Sequence, residues 1–194
     1  FVNLYPFMPV HITMLLELLK KLASRTGGVG LRSVIRLIRD ILVENRFADQ
    51  AIDRLVTPSD FYDVLRSDME NNPSYNEIVQ AAKKAMVIYK DNDLAKRICK
   101  TVAVLQILDD FKLTLKNLCA LLYCKIGDSV SIDDVKDILD DMKNRDGITL
   151  QEIDGRYRFL TNAILNVQSE RSRMSAKPEE KKDVLVELVH DVLT

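Results

Sequence analysis

Three features of the sequence predict a mainly α-helical chain with one small β-hairpin. Apolar residues recur every three to four positions over most of residues 9–144. After Gly147 the period switches to two. The pair Asp154-Gly155 then separates two alternating runs, the strongest short-range signal for a two-residue hairpin.

The first helix is expected from about Pro9 to Arg25. Pro9 suits a first turn, where its missing N–H costs nothing, and Met14, Leu15, Leu18, Leu19 and Leu22 form an apolar stripe. A second helix is expected from about Leu31 to Asn45. Its buried face is read as Leu31, Val34, Ile35, Ile38, Ile41 and Leu42. Thr57-Pro58-Ser59-Asp60 is a helix start, with Thr as the cap, Pro in the first position and Asp in the third. That helix runs to about Glu70, where Asn71, Asn72 and Pro73 end it. A fourth follows from about Ser74 to Tyr89. Residues 1–90 therefore read as a four-helix bundle.

Asp91-Asn92-Asp93 is a polar break, taken as a domain boundary. Beyond it a helix is expected from about Leu94 to Asp109. Thr114 caps a short helix ending near Tyr123, and Ser131 caps a third that runs to about Asn144. Ile148, Leu150 and Glu152 then alternate with Thr149, Gln151 and Ile153, and residues 156–160 return as the second strand. Three helices followed by a hairpin is the order of a winged helix, assigned to residues 93–165. Residues 166–194 are read as a linker, polar over 169–177, and an amphipathic helix that begins at Pro178.

The 194 residues carry a net charge of −1, which speaks against a generic polyanion binder. Cys99, Cys119 and Cys124 are too few and too irregular for a disulfide framework, so buried, reduced thiols in a cytoplasmic compartment are expected. The two histidines, His11 and His190, are remote from each other, and no metal site is expected. No apolar run reaches the ~20 residues that span a bilayer, so no membrane role is expected. The chain opens on Phe1 and stops inside an amphipathic pattern at Thr194, and it is read as a piece of a longer protein.

The stretch GGVGLRSVIRLIRD, residues 27–40, is the strongest candidate site. The glycines do not make a phosphate-cradling loop, because no strand precedes them and no Lys-Ser or Lys-Thr follows. The chain therefore holds no ATPase core and should not hydrolyse nucleotide by itself. Arg32, Arg36 and Arg39 lie at i, i+4 and i+7 and share a helix face. Arg32 falls in the first turn, where free N–H groups and the helix dipole attract anions. Two readings stand: a solvated face paired with Asp40 and Glu44, or a contact for a phosphate or an acidic partner.

A helical bundle with Gly-x-Arg opening one helix, followed by a winged helix, resembles the C-terminal half of AAA+ ATPases. The opening residues Tyr5, Pro6, Phe7 and Pro9, the leucine-rich helix, and the Arg32, Arg36, Arg39 pattern resemble the segment after the ATPase core in very large bacterial ATPases of BREX-type phage-resistance systems. Met8 stands where that family commonly has His. The resemblance implies an AAA+ lid-like bundle joined to a winged helix. It also implies that Arg32 is a sensor-2-like residue reaching the γ-phosphate of ATP, which is held with Mg2+ by a core domain upstream. Arg36 and Arg39 would meet that core, a neighbouring copy in a homo-oligomer, or other defence-system subunits.

Nucleic acid is the weaker expectation. The third helix of the winged-helix segment, 132–144, carries Asp133, Asp134, Asp137, Asp140 and Asp141 against Lys136 and Lys143. That balance repels phosphates. On the hairpin, Arg156 and Arg158 are the candidate contacts, with pairing to Glu152 or Asp154 as the alternative. Tyr157 and Phe159 are expected to point into the core. The other functions weighed are a stand-alone DNA-binding regulator and a protein-interaction scaffold.

Overall fold

The computed structural model describes residues 4–22, 31–44 and 46–173. Eight α-helices and one two-stranded sheet are present among them. The described residues up to Leu160 belong to one compact unit, and those from Thr161 onward to a second.

Helix α1 covers Pro9–Leu22 and buries His11, Met14, Leu15, Leu18 and Leu19, the spacing of one helix face. Helix α2 covers Leu31–Arg39. It does not run on as α-helix to residue 45: Asp40–Glu44 form a π turn, and Phe47–Asp49 a 3-10 turn. The inward face of α2 also differs from the expected one. Ile35 is 58% exposed, while Val34, Leu37 and Ile41 are buried.

Helix α3, Pro58–Glu70, is the common element of the unit. It packs on α1, on the π turn, on α4 (Asn76–Ile88) and most extensively on α5 (Asp93–Leu105). Phe61, Tyr62, Leu65 and Met69 of α3 are buried, as are Ile98, Cys99, Val102 and Leu105 of α5. At its start Thr57 donates from its backbone N and from Oγ1 to the Asp60 carboxylate, at 2.7 and 2.8 Å. The polar break at 91–93 is a helix cap, with Asn92 Oδ1 accepting from Ala95 N at 2.9 Å. Packing is continuous across it, because α5 leans on both α3 and α4.

Helix α6 covers Leu115–Leu121 and α7 covers Ile132–Asn144. Their caps are those read from the sequence. Thr114 Oγ1 accepts from Asn117 N at 3.3 Å and Ser131 Oγ from Asp134 N at 3.2 Å. Strands β1, Leu150–Ile153, and β2, Arg156–Phe159, pair antiparallel with Leu150 opposite Phe159 and Glu152 opposite Tyr157. Asp154 and Gly155 have φ of 51° and 70°, so both turn residues are left-handed, as a type I′ hairpin requires.

Two contacts stitch the sheet to the helices. Tyr157 N donates to Leu113 O at 2.9 Å. The Gln106 amide reaches the Phe159 backbone twice: Oε1 accepts from Phe159 N at 2.8 Å and Nε2 donates to Phe159 O at 3.3 Å. Described by itself, the second unit holds helix α8, Asn162–Arg173. Residues 169–173, read as the start of a linker, are therefore helical. Ser169 and Glu170 are exposed on that helix, so their polarity marks a helix surface rather than a break. The helix expected from Pro178 lies outside the described residues.

The opening element is anchored by backbone contacts. The Tyr5–Pro6 bond is cis, Pro6 O accepts from Val56 N at 3.1 Å, and Phe7 is buried. The Tyr5 hydroxyl donates to Ile52 O and, at 3.2 Å, to Arg54 O. The same 52–56 segment meets the loop after α6, with Leu55 N donating to Cys124 O and Ile126 N to Asp53 O, each at 2.8 Å. Tyr5 and Pro6 thus fasten this segment to a loop that is itself tied to residues 124–126.

Candidate functional site

Helix α2 places its three arginines on one outward face. Arg32 is exposed in the first turn. Arg36 is 79% exposed, and its Nε lies 3.6 Å from Asp40 Oδ2. Arg39 donates to Asp40 Oδ1 from Nε at 3.2 Å and from Nη2 at 2.9 Å, and its Nη2 lies 3.5 Å from Glu44 Oε1. Ile35 and Val43 are exposed on the same stretch. The row is therefore divided: Arg36 and Arg39 share the acids of the π turn, whereas Arg32 has no carboxylate partner among the described residues.

Such exposed pairs are worth about 0–1 kcal/mol, so Arg36 and Arg39 are not locked into place. The expected pairing to Asp40 and Glu44 exists for Arg36 and Arg39, and it stops short of Arg32. Glycines 27, 28 and 30 lie outside the described residues.

The hairpin separates its residues by face. Tyr157 and Phe159 are buried, as expected, with Leu150 beside them. Glu152 is on that same side, opposite Tyr157. It does not pair with Arg156 or Arg158. Lys143 of α7 takes it instead, at 3.3 Å, and lies 5.7 Å from the centre of the Tyr157 ring. Gln151, Ile153, Arg156 and Arg158 occupy the other face.

The bases near the end of α7 are engaged internally. Lys143 bonds Asp140 at 2.7 Å, and Arg145 bonds Asp141 at 2.8 Å while lying 5.0 Å from the centre of the Tyr89 ring. The Tyr89 hydroxyl donates to Asp141. Burial, and then this bond to the Asp141 carboxylate, push the Tyr89 phenol up to about 12. With Lys143 and Arg145 consumed, Asp133 and Asp137 remain exposed on α7 beside Lys136, so its outer surface is acidic.

Compared with family models, curated proteins and solved structures, the chain has no match in any of the three. The site must be read from its own geometry. Cys99 and Cys119 are buried and Cys124 is half-buried, all as free thiols. Burial raises the Cys99 thiol to about 12, which makes it a poor nucleophile, and its Sγ faces Met142 Sδ at 4.0 Å. No described helix is long and apolar enough to cross a membrane.

Sequence reasoning missed Gln106, Tyr89 and His11. Gln106 carries no local signal, because its partner lies 53 residues away. His11 does carry one: it stands at i−3 and i−4 from Met14 and Leu15, on the apolar stripe of α1.

Proposed function

We propose that this chain is the lid-like bundle and winged helix of a large bacterial P-loop ATPase of the AAA+ type, from a BREX-like phage-resistance system. In this reading Arg32 completes a nucleotide site whose Walker motifs, ATP and Mg2+ belong to a core domain upstream, in a cytoplasmic assembly. The observation that carries it is the division of the arginine row. Arg36 and Arg39 have acids to rest on, while Arg32 stands exposed at the start of α2 with no carboxylate among the described residues. A guanidinium presented in a first helical turn is suited to a phosphate oxygen delivered from outside.

Arg36 and Arg39, with Ile35 and Val43, form a mixed cationic and aliphatic face suited to a protein interface with the core or a neighbouring copy. The winged-helix part of the reading is supported by the order α5, α6, α7, β1, β2. The bond from Tyr157 N to Leu113 O adds to it, since it fastens β2 to the segment that leads into α6. The acidic surface of α7 speaks against a stand-alone regulator that reads DNA with that helix.

The test is Arg32→Ala in the polypeptide that carries the core. ATP turnover should fall by at least ~100-fold, given that arginines acting on a transferring phosphoryl group are worth about 10³–10⁵. Wild-type turnover in a folded Arg32→Ala protein would reject the sensor assignment.

A further inference from the structure

We propose that residues 52–54 form a two-sided latch. The Tyr5 hydroxyl closes one edge, the 124–126 loop closes the other, and opening either edge loosens both. The latch links the opening element of the chain to the loop that leads into α7.

The backbone of 52–56 shares its polar groups between two neighbours, as an extended segment does. On one edge Ile52 O and Arg54 O accept from the Tyr5 hydroxyl, and Val56 N donates to Pro6 O. On the other edge Asp53 O accepts from Ile126 N, and Leu55 N donates to Cys124 O. Arg54 there stands antiparallel to Lys125. The two neighbours thus hold the same few residues from opposite sides, although they lie far apart in the sequence. The segment is rooted at one end. Leu55 and Val56 are buried, so core packing backs the bonds of their amides. Ile52, by contrast, is 87% exposed, and Asp53 and Arg54 are half-buried. Polar contacts hold this outer half. They are the Tyr5 hydroxyl on one edge, with the Ile126 amide and the Lys125–Asp53 pair at 3.4 Å on the other. Arg54 adds a side-chain anchor, 5.2 Å from the centre of the Phe47 ring and 3.5 Å from Asp60.

Tyr5, Lys125 and Ile126 are themselves exposed. Contacts with so little apolar burial open locally, at a lower free energy than the helices of the core. The bonds on both edges require 52–54 in one position. Loss of one edge therefore raises the population in which the other is open, which is a coupling between two separate places in the fold. Beyond Ile126 the chain runs to Ser131, the cap of α7. Drawing Tyr5 away from 52–54 thus frees the approach to the acidic helix, while Leu55 and Val56 keep the core shut. The latch does not depend on the role of Arg32.

The experiment follows amide hydrogen exchange of the chain by NMR, residue by residue, in wild type and in Tyr5→Phe. This change removes the hydroxyl and keeps the ring. The Ile126 amide should exchange about 3- to 10-fold faster in the variant, the factor by which one net hydrogen bond holds back an opening. The Ala95 and Asn117 amides, held by the caps at Asn92 and Thr114, should exchange as in wild type. The reciprocal arm is a cycle of urea unfolding with Ile126→Pro, which removes the N–H that Asp53 O accepts. Once one edge is gone, the other has less left to hold. The unfolding constant of the double variant should therefore fall short of the product of the two single effects by at least about 3-fold. The exchange measurement decides the matter by itself if Ile126→Pro folds poorly. An Ile126 amide that exchanges at the wild-type rate in Tyr5→Phe, or single effects that multiply to within about 2-fold, would each overturn the proposal.

Discussion

Acidification from about pH 7 to about pH 4 should destabilise the chain by roughly 3 kcal/mol through His11 alone. Its ring is wholly buried on α1, edge-on to Phe61 with centroids 5.6 Å apart and planes at 88°. Nδ1 accepts from Met8 N at 3.3 Å, so the proton of the neutral ring sits on Nε2, which has no hydrogen-bond partner among the described residues. Charging this ring places an unsolvated cation among apolar side chains. Burial accordingly lowers its pKa from 6.5 to about 4. The unfolded chain, titrating near 6.5, then binds more protons than the folded one between these values, so stability rises with pH across that window. The His11 penalty is absent above about pH 6.5, grows as pH falls, and levels off below about pH 4. At 1.36 kcal/mol per pH unit, the 2.5-unit gap sets the magnitude given above. The assay is urea unfolding of wild type and His11→Leu at a series of pH values. Carboxylates titrate in both proteins, so the difference between the two curves isolates His11. A difference that stays flat from pH 7 to pH 4, or an imidazole that titrates by NMR near its ordinary value, would refute the reasoning.

Three further outcomes are expected. Gln106→Leu should cost about 1–3 kcal/mol in denaturant unfolding, because it leaves the N–H and C=O of Phe159 without their side-chain partner. Gly155→Ala should cost about 1–2 kcal/mol, since φ of 70° strains any Cβ-bearing residue; space is not the cause, as nothing lies within 4 Å of the added atom. Arg32→Ala should leave stability within about 0.5 kcal/mol by thermal unfolding, which would separate any loss of turnover from a folding defect.

Much of the fold was legible because its signals are local. The caps at Thr114 and Ser131 need only the amide three residues on, and the Asp-Gly turn needs only its own two dihedrals. The stripe of α1 follows from helix geometry, and it already contained His11. The arginine face of α2 was equally plain, since i, i+4 and i+7 share a side of any α-helix.

What the sequence by itself determined, then, was where helices and strands form and which residues share a face. Which face turns inward, and which charge meets which, was decided by tertiary structure. Leu37 rather than Ile35 is buried on α2, a helix that packs on α1. Glu152 goes to Lys143 because the register of β1 and β2 places it opposite Tyr157, on the face that α7 covers. Arg156 and Arg158 lie half-buried on the other face for the same reason. The Gln106 stitch and the Tyr89–Asp141 bond join residues 53 and 52 apart in the chain. Periodicity has no term for such contacts: it orders neighbours along the chain, while burial and pairing depend on which distant element arrives.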